Sequence, residues 1–180
     1  VCDYKTGSPK LSLNEIMEGL SLQLITYLLA LSKTKDTKDL LPAAMMYIYL
    51  HGRPKSISVP PNGIPHSKEK ENPNGIFLND PDVLRTLDSQ SGTDDGFIGV
   101  SYVKDGSVKK TSPVLTAEEF EALKALTEKI LIRLYNRLES GEIAIHPVKN
   151  GTLSPCSYCP YRSICRFDPA LPDNSFDYIS

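Results

Sequence analysis

Asp3 and Lys5 stand two positions apart in the opening run Val1-Cys2-Asp3-Tyr4-Lys5-Thr6-Gly7. On a strand, residues i and i+2 face the same way, so a carboxylate and an ammonium would aim at one spot. Hydrolysis of a phosphodiester uses such a pair. The acid holds a divalent cation that polarises the phosphate and activates water, and the amine offsets developing charge. Tyr4 is then expected to point into the packed interior, its backbone carbonyl still free to ligate a metal. Gly7 would let the strand end approach DNA closely. The plainer reading is a solvated ion pair at a surface strand end. Gln23 and Tyr27 weigh against it, because at i and i+4 they share a helix face. A glutamine among apolar neighbours can orient a phosphate or a water, with Tyr27 holding position or stacking. The bland alternative is a core glutamine satisfied by backbone.

Cys156, Cys159 and Cys165 form the second set. Three thiols at C-x-x-C-x5-C spacing suit zinc or an iron–sulfur cluster. A thioredoxin-like redox pair would need a βαβ setting that this segment lacks, and buried inert thiols are a further alternative. His146 could complete a Cys3His zinc site, whereas Cys2 reads as a small apolar residue on a buried strand.

These groups need elements to hold them. At 180 residues and 40% hydrophobic content the chain can bury a single-domain core. Its 20 basic and 22 acidic residues, net charge −2, exclude a freestanding nucleic-acid sponge but allow a local basic patch. The most apolar run, Leu24 to Leu31, is too short to span a membrane. No basic-then-apolar leader is present, so a cytoplasmic protein without membrane contact is expected. The lack of a methionine before Val1 leads to the expectation of a piece of a longer polypeptide.

Val1 to Thr6 reads as a strand end stopped by Gly7-Ser8-Pro9. Ser12 and Glu15 form a capping box that launches one helix to about Ser32, with Gly19 in its interior marking close packing. Glu15 and Glu18 are read as capping and surface residues. Ala43 to His51 reads as a central strand covered on both sides. A proline-rich mobile loop is expected over 53–79, then a short helix capped by Asp80 with Pro81 at its first position. Asp105-Gly106 signals a type I′ hairpin between 97–103 and 108–111. Thr116 and Glu119 form a second capping box, and Phe120, Leu123, Leu126, Ile130, Leu134 and Leu138 make the stripe of a helix ending at Gly141. The tail lacks a period, so a metal rather than a core would hold it.

Asp3-Tyr4-Lys5-Thr6-Gly7 followed by Gly19-x-x-x-Gln23-x-x-x-Tyr27-Leu28 resembles the RecB-type branch of the PD-(D/E)XK nuclease superfamily. The resemblance implies an α/β, restriction-endonuclease-like mixed sheet flanked by helices, truncated at its N-terminus and ending in a Cys-rich tail. It implies Asp3 as ligand to Mg2+, Lys5 as the catalytic lysine, and Gln23 and Tyr27 alongside them. The tail C-S-Y-C-P-Y-R-S-I-C-R-F is similar to that of iron–sulfur nucleases: the B subunits of AddAB (RexAB) helicase–nucleases and the Cas4 and Dna2 nucleases. There three C-terminal cysteines and one upstream cysteine hold a [4Fe–4S] cluster; zinc is the alternative.

The long interval between Tyr27 and Cys156, with Gly75-Ile76-Phe77-Leu78 leading into Asp80-Pro81-Asp82, looks like the B-subunit branch. That implies DNA as substrate, an A subunit as motor and partner, and resection of double-strand breaks. The alternatives are a Cas4- or Dna2-like nuclease and a non-catalytic metal-stapled DNA-binding module. The expected parts are a motif strand and helix (1–32), an insertion with the loop and hairpin (33–115), a helix (116–141) and a Cys-rich tail (142–180). In the family an earlier strand supplies another metal-binding Asp, which is not in this chain. The isolated chain is therefore expected to be inactive.

Overall fold

In the computed structural model, residues 1–7, 10–50, 72–93, 96–151, 154–172 and 174–179 are described. Four strands make the central sheet in the order β1 (Cys2–Lys5), β2 (Ala44–Tyr49), β3 (Asn74–Leu78), β4 (Val114–Leu115). β1 runs parallel to β2 with Asp3 opposite Tyr47 and Lys5 opposite Tyr49, β2 is antiparallel to β3, and β3 is parallel to β4. This is a mixed sheet flanked by helices, as the sequence implies.

β2 shows why the sheet sits in the middle. Alternate side chains leave a strand on opposite faces. Met45 and Tyr47 accordingly join Ile16, Leu24, Ile25, Leu28, Phe120 and Leu123 on one side. Ala44 and Met46 join Phe77, Leu84, Ile98 and Val100 on the other. The first face is covered by α1 (Leu13–Met17), α2 (Gln23–Lys33) and α4 (Ala117–Glu139); the second by α3 (Pro81–Leu87) and the 98–100 segment.

β3 lies inside the stretch expected to be a loop, whose part over 51–71 is outside the described residues. Residues 74–78 form a buried strand because Ile76, Phe77 and Leu78 supply apolar side chains to both faces at once. Gly75 fits there because the partner strand is too close for a side chain: a Cβ would lie 2.6 Å from Met46 Cβ and 2.9 Å from the Met45 carbonyl oxygen.

The single helix expected over 12–32 is two. Ser12 caps α1 by accepting from the Glu15 N–H, but the chain then ends in a Schellman motif: Leu20 N–H donates to Glu15 O at 2.7 Å and Gly19 N–H to Ile16 O at 3.0 Å. Gly19, at φ +84°, supplies the left-handed residue this motif takes, and a Cβ there would also press on Ile130 of α4 at 3.3 Å. The apolar pattern runs on across the break, which is why periodicity hides it.

Other local signals hold. Asp80 accepts from the Asp82 and Val83 N–H groups ahead of Pro81, and Thr116 and Glu119 close a complete capping box at the start of α4. The hairpin is reduced to one bridge, Tyr102 to Val108. Gly106 has φ +85° while Asp105 is not left-handed, and Gly106 N–H donates to Val103 O. That is a type I turn with a Gly bulge rather than type I′. The expected stripe of α4 is buried at Phe120, Leu123 and Ile130, but Leu138 is 79% exposed.

The tail has more structure than its lack of period implies. β5 (Val148–Asn150) pairs in parallel with β6 (Asp177–Ile179), and a 3-10 turn (Pro155–Tyr158) and α5 (Arg162–Cys165) lie between them. Phe176 packs edge-on against Phe167 at 4.9 Å, and the Lys149 ammonium lies 5.1 Å from the Phe176 ring centre. No helix among the described residues is long and apolar enough to cross a membrane.

Candidate active site

Asp3 and Lys5 project from β1 on the face that carries Tyr47 of the neighbouring strand, toward the start of α2. Lys5 Nζ lies 2.8 Å from Asp3 Oδ2 and donates to Gln23 Oε1 at 2.6 Å. Gln23 Nε2 in turn donates to the Tyr27 hydroxyl at 3.0 Å. All four residues singled out in the first thirty therefore form one chain of contacts. The i, i+2 and i, i+4 spacings bring each pair together, and the α2–β1 packing joins the two pairs.

Tyr47 is the member that sequence reasoning missed. Its ring centre is 5.3 Å from Lys5 Nζ, and it is 4% exposed. It gives the ammonium an aromatic floor on the side away from Gln23. The alternation in β2 could place Tyr47 on a face, but only the β1–β2 register puts it beneath Lys5.

The electrostatics assign Lys5 a role. Contact with the Asp3 carboxylate raises its pKa above the ordinary lysine value, against a smaller lowering by desolvation. Lys5 is thus an ammonium at neutral pH, suited to offset negative charge rather than to accept a proton. Burial likewise raises the Tyr47 phenol, with Lys5 opposing it, so the ring stays neutral.

Gln23 has its carbonyl on Lys5 and its amide on Tyr27. The side chain is therefore engaged with the protein's own lysine, and it aims that lysine rather than reaching freely for a phosphate as its sequence position allows.

Asp3 Oδ2 is the buried side-chain oxygen, among the described residues, that receives no well-directed hydrogen bond. Lys5 neutralises it at short range without filling its lone pairs. A buried carboxylate oxygen left in this state fits a divalent cation, which Asp3 would hold. Mg2+ is commonly held by one or two carboxylates plus water and substrate oxygens, so a lone Asp3 is at the weak end of that range. Among the described residues no three His, Cys, Asp or Glu side chains converge as a metal-ligand group.

Tyr4 and Cys2 do not point into an interior. Tyr4 is 62% exposed and Cys2 is exposed as well. The α3 layer packs over β2 and β3 and stops short of the outermost strand, so the far face of β1 is left uncovered.

Cys156, Cys159 and Cys165 line one cavity of about 200 Å³ together with Arg162, Phe167 and Phe176. Ser154 caps the turn that carries Cys156, accepting from its N–H, and Cys165 ends α5 against left-handed Arg166. The spacing brings the thiols to a common wall without drawing them into a ligand set. Cys2 lines a different, apolar cavity beside α2, with Leu28, Met46 and Lys124. His146 is not among the residues lining the cysteine cavity.

Among known proteins, the chain is 35% identical to the B subunit of the ATP-dependent helicase/deoxyribonuclease of Desulforamulus reducens, over 99% of this chain and 16% of that protein. It is 33% identical to the protein of the same name from Clostridium kluyveri, over 99% of the chain and 16% of the relative. The corresponding protein of Bacillus thuringiensis is 30% identical over 98% of the chain and 16% of its own length. The chain thus spans about a sixth of the length of the curated relatives it matches. The family model of the PD-(D/E)XK nuclease superfamily matches residues 1–166. An acid and a lysine on one strand face, met by a glutamine from the adjoining helix, lie inside that match, and the chain belongs to the PD-(D/E)XK nuclease superfamily.

Proposed function

We propose that this chain is the nuclease segment of the B subunit of an ATP-dependent helicase/deoxyribonuclease, hydrolysing phosphodiester bonds of an unwound DNA strand during resection of double-strand breaks. The contact chain Asp3–Lys5–Gln23–Tyr27 is the observation that carries this reading. The names of the relatives support the setting, including a motor-bearing A subunit as partner. A divalent cation, Mg2+ in this reading, supplies polarisation of the phosphate and a more acidic water. Asp3 offers the ligand oxygen, and Lys5, kept protonated by Asp3 and aimed by Gln23, compensates charge on the phosphate. Tyr47 and Tyr27 restrict where the ammonium can go.

One carboxylate is a thin ligand set, so the 180-residue chain alone is expected not to nick plasmid with Mg2+ or Mn2+. The full-length protein is expected to cut, and to lose cutting with Asp3→Ala. Undiminished cutting by that variant would favour a non-catalytic DNA-binding module instead.

For the tail, three thiols on one cavity wall support a [4Fe–4S] cluster whose fourth ligand lies outside the cavity-lining residues of this chain. The full-length protein purified without oxygen is then brown and loses its colour with Cys159→Ser. Colourless protein carrying one equivalent of zinc would assign the site to zinc.

A further inference from the structure

Resting on the nuclease reading above, we infer that Glu15 and Ser21 are positioning residues that set the first turn of α2, and through Gln23 the direction of the Lys5 ammonium. Ser21 is one of two non-glycine residues with positive φ among those described, at +50°. A left-handed serine is held only where its surroundings compel it. The compelling contact is its side chain: Ser21 Oγ donates to Glu15 Oε2 at 2.6 Å, across the break between α1 and α2.

The start of α2 has little else to fix it. Leu22 occupies the N-cap position and offers no side-chain hydrogen bond, so the first turn lacks the usual capping oxygen. Leu24 and Ile25 are fully buried and fix the helix body in the core. Gln23, the first residue of the helix, is the one that must reach Lys5, at 2.6 Å. A hydrogen bond two residues upstream at the turn is placed to hold that residue's backbone. Glu15 therefore does more than begin a helix: its N–H is capped by Ser12 while its carboxylate reaches forward to Ser21.

The inference is tested in the full-length protein, assembled with its helicase partner, by measuring Mg2+-dependent strand cutting and ATP hydrolysis separately. Ser21→Ala and Glu15→Ala are each expected to lower kcat for cutting about 5- to 10-fold, with KM for DNA and ATP hydrolysis unchanged. Glu15→Gln, which keeps an acceptor oxygen, is expected to retain more activity than Glu15→Ala. Ser21→Gly relieves the backbone yet removes the hydroxyl, and is expected to be as impaired as Ser21→Ala.

The decisive comparison is a double-mutant cycle. In a Gln23→Ala background, Ser21→Ala should cost nothing further, because both act through the same amide. Losses that multiply in the double variant, or Ser21→Gly with full activity, overturn the inference while leaving the nuclease reading standing. Full cutting by Lys5→Ala removes both at once.

Discussion

Lys5→Ala in the full-length protein is expected to lower strand cutting by about 10²- to 10³-fold, the loss typical when one charge-stabilising donor is removed from a reacting centre. The side chain is well placed for that consequence. It touches the Asp3 carboxylate, donates to the Gln23 carbonyl and rests on the Tyr47 ring. Cation affinity should not fall, since the ammonium repels rather than ligates a cation; Mn2+ titration against the loss of cutting separates the two effects. Lys5→Arg is not a conservative repair here, because a planar fork cannot meet Asp3, Gln23 and an aromatic face as a compact ammonium does. A single-turnover rate for Lys5→Ala close to that of the parent would remove Lys5 from the reaction.

The pH dependence follows from the same contacts. With its pKa raised above 10.5 by Asp3, Lys5 stays charged through the neutral and mildly alkaline range. The contribution of this pair to stability is fully present below pH 10.5 and fades as pH rises through the higher folded value. Between about pH 7 and 9, changes in cutting rate should therefore come from groups other than Lys5.

Phe77→Ala is expected to destabilise the fold by about 3–5 kcal/mol. Phe77 is fully buried on β3, between Ala44 and Met46 of the neighbouring strand and Leu84, Ile98 and Val100 above them. Removing the ring leaves a cavity that a sheet flanked by α3 cannot collapse to fill. Against the roughly 5–15 kcal/mol that holds a typical domain together, that is a third or more of the whole. Urea denaturation checks it, with Leu138→Ala as a control: Leu138 is 79% exposed at the far end of α4 and should shift stability by at most about 0.5 kcal/mol. Equal midpoints for the two variants would mean that β3 is not a central strand.

The chemistry is legible in the sequence because it rests on short-range geometry. Strand alternation puts Asp3 and Lys5 on one face, the helical turn puts Gln23 beside Tyr27, and Asp80, Thr116 and Glu119 cap helices as their spacing implies. Each of these is a relation between residues two to four apart, set by backbone periods that hold in any fold. The three cysteines likewise reach one cavity wall from a span of ten residues.

Relations between distant segments carry no such period. Alternation says which residues share a face of β1 but not what covers that face, so Tyr4 and Cys2, expected inside, lie outside. The apolar pattern of 16–31 passes unbroken through Gly19 because burial repeats on both helices while the backbone turns between them. Residues 74–78 become a strand only by meeting β2, and Tyr47 comes under Lys5 only through the parallel register of β1 on β2. Local order follows from residue type and spacing. Coverage, register and the placing of one element against another wait on packing, because those energies belong to pairs of segments that the chain order does not put together.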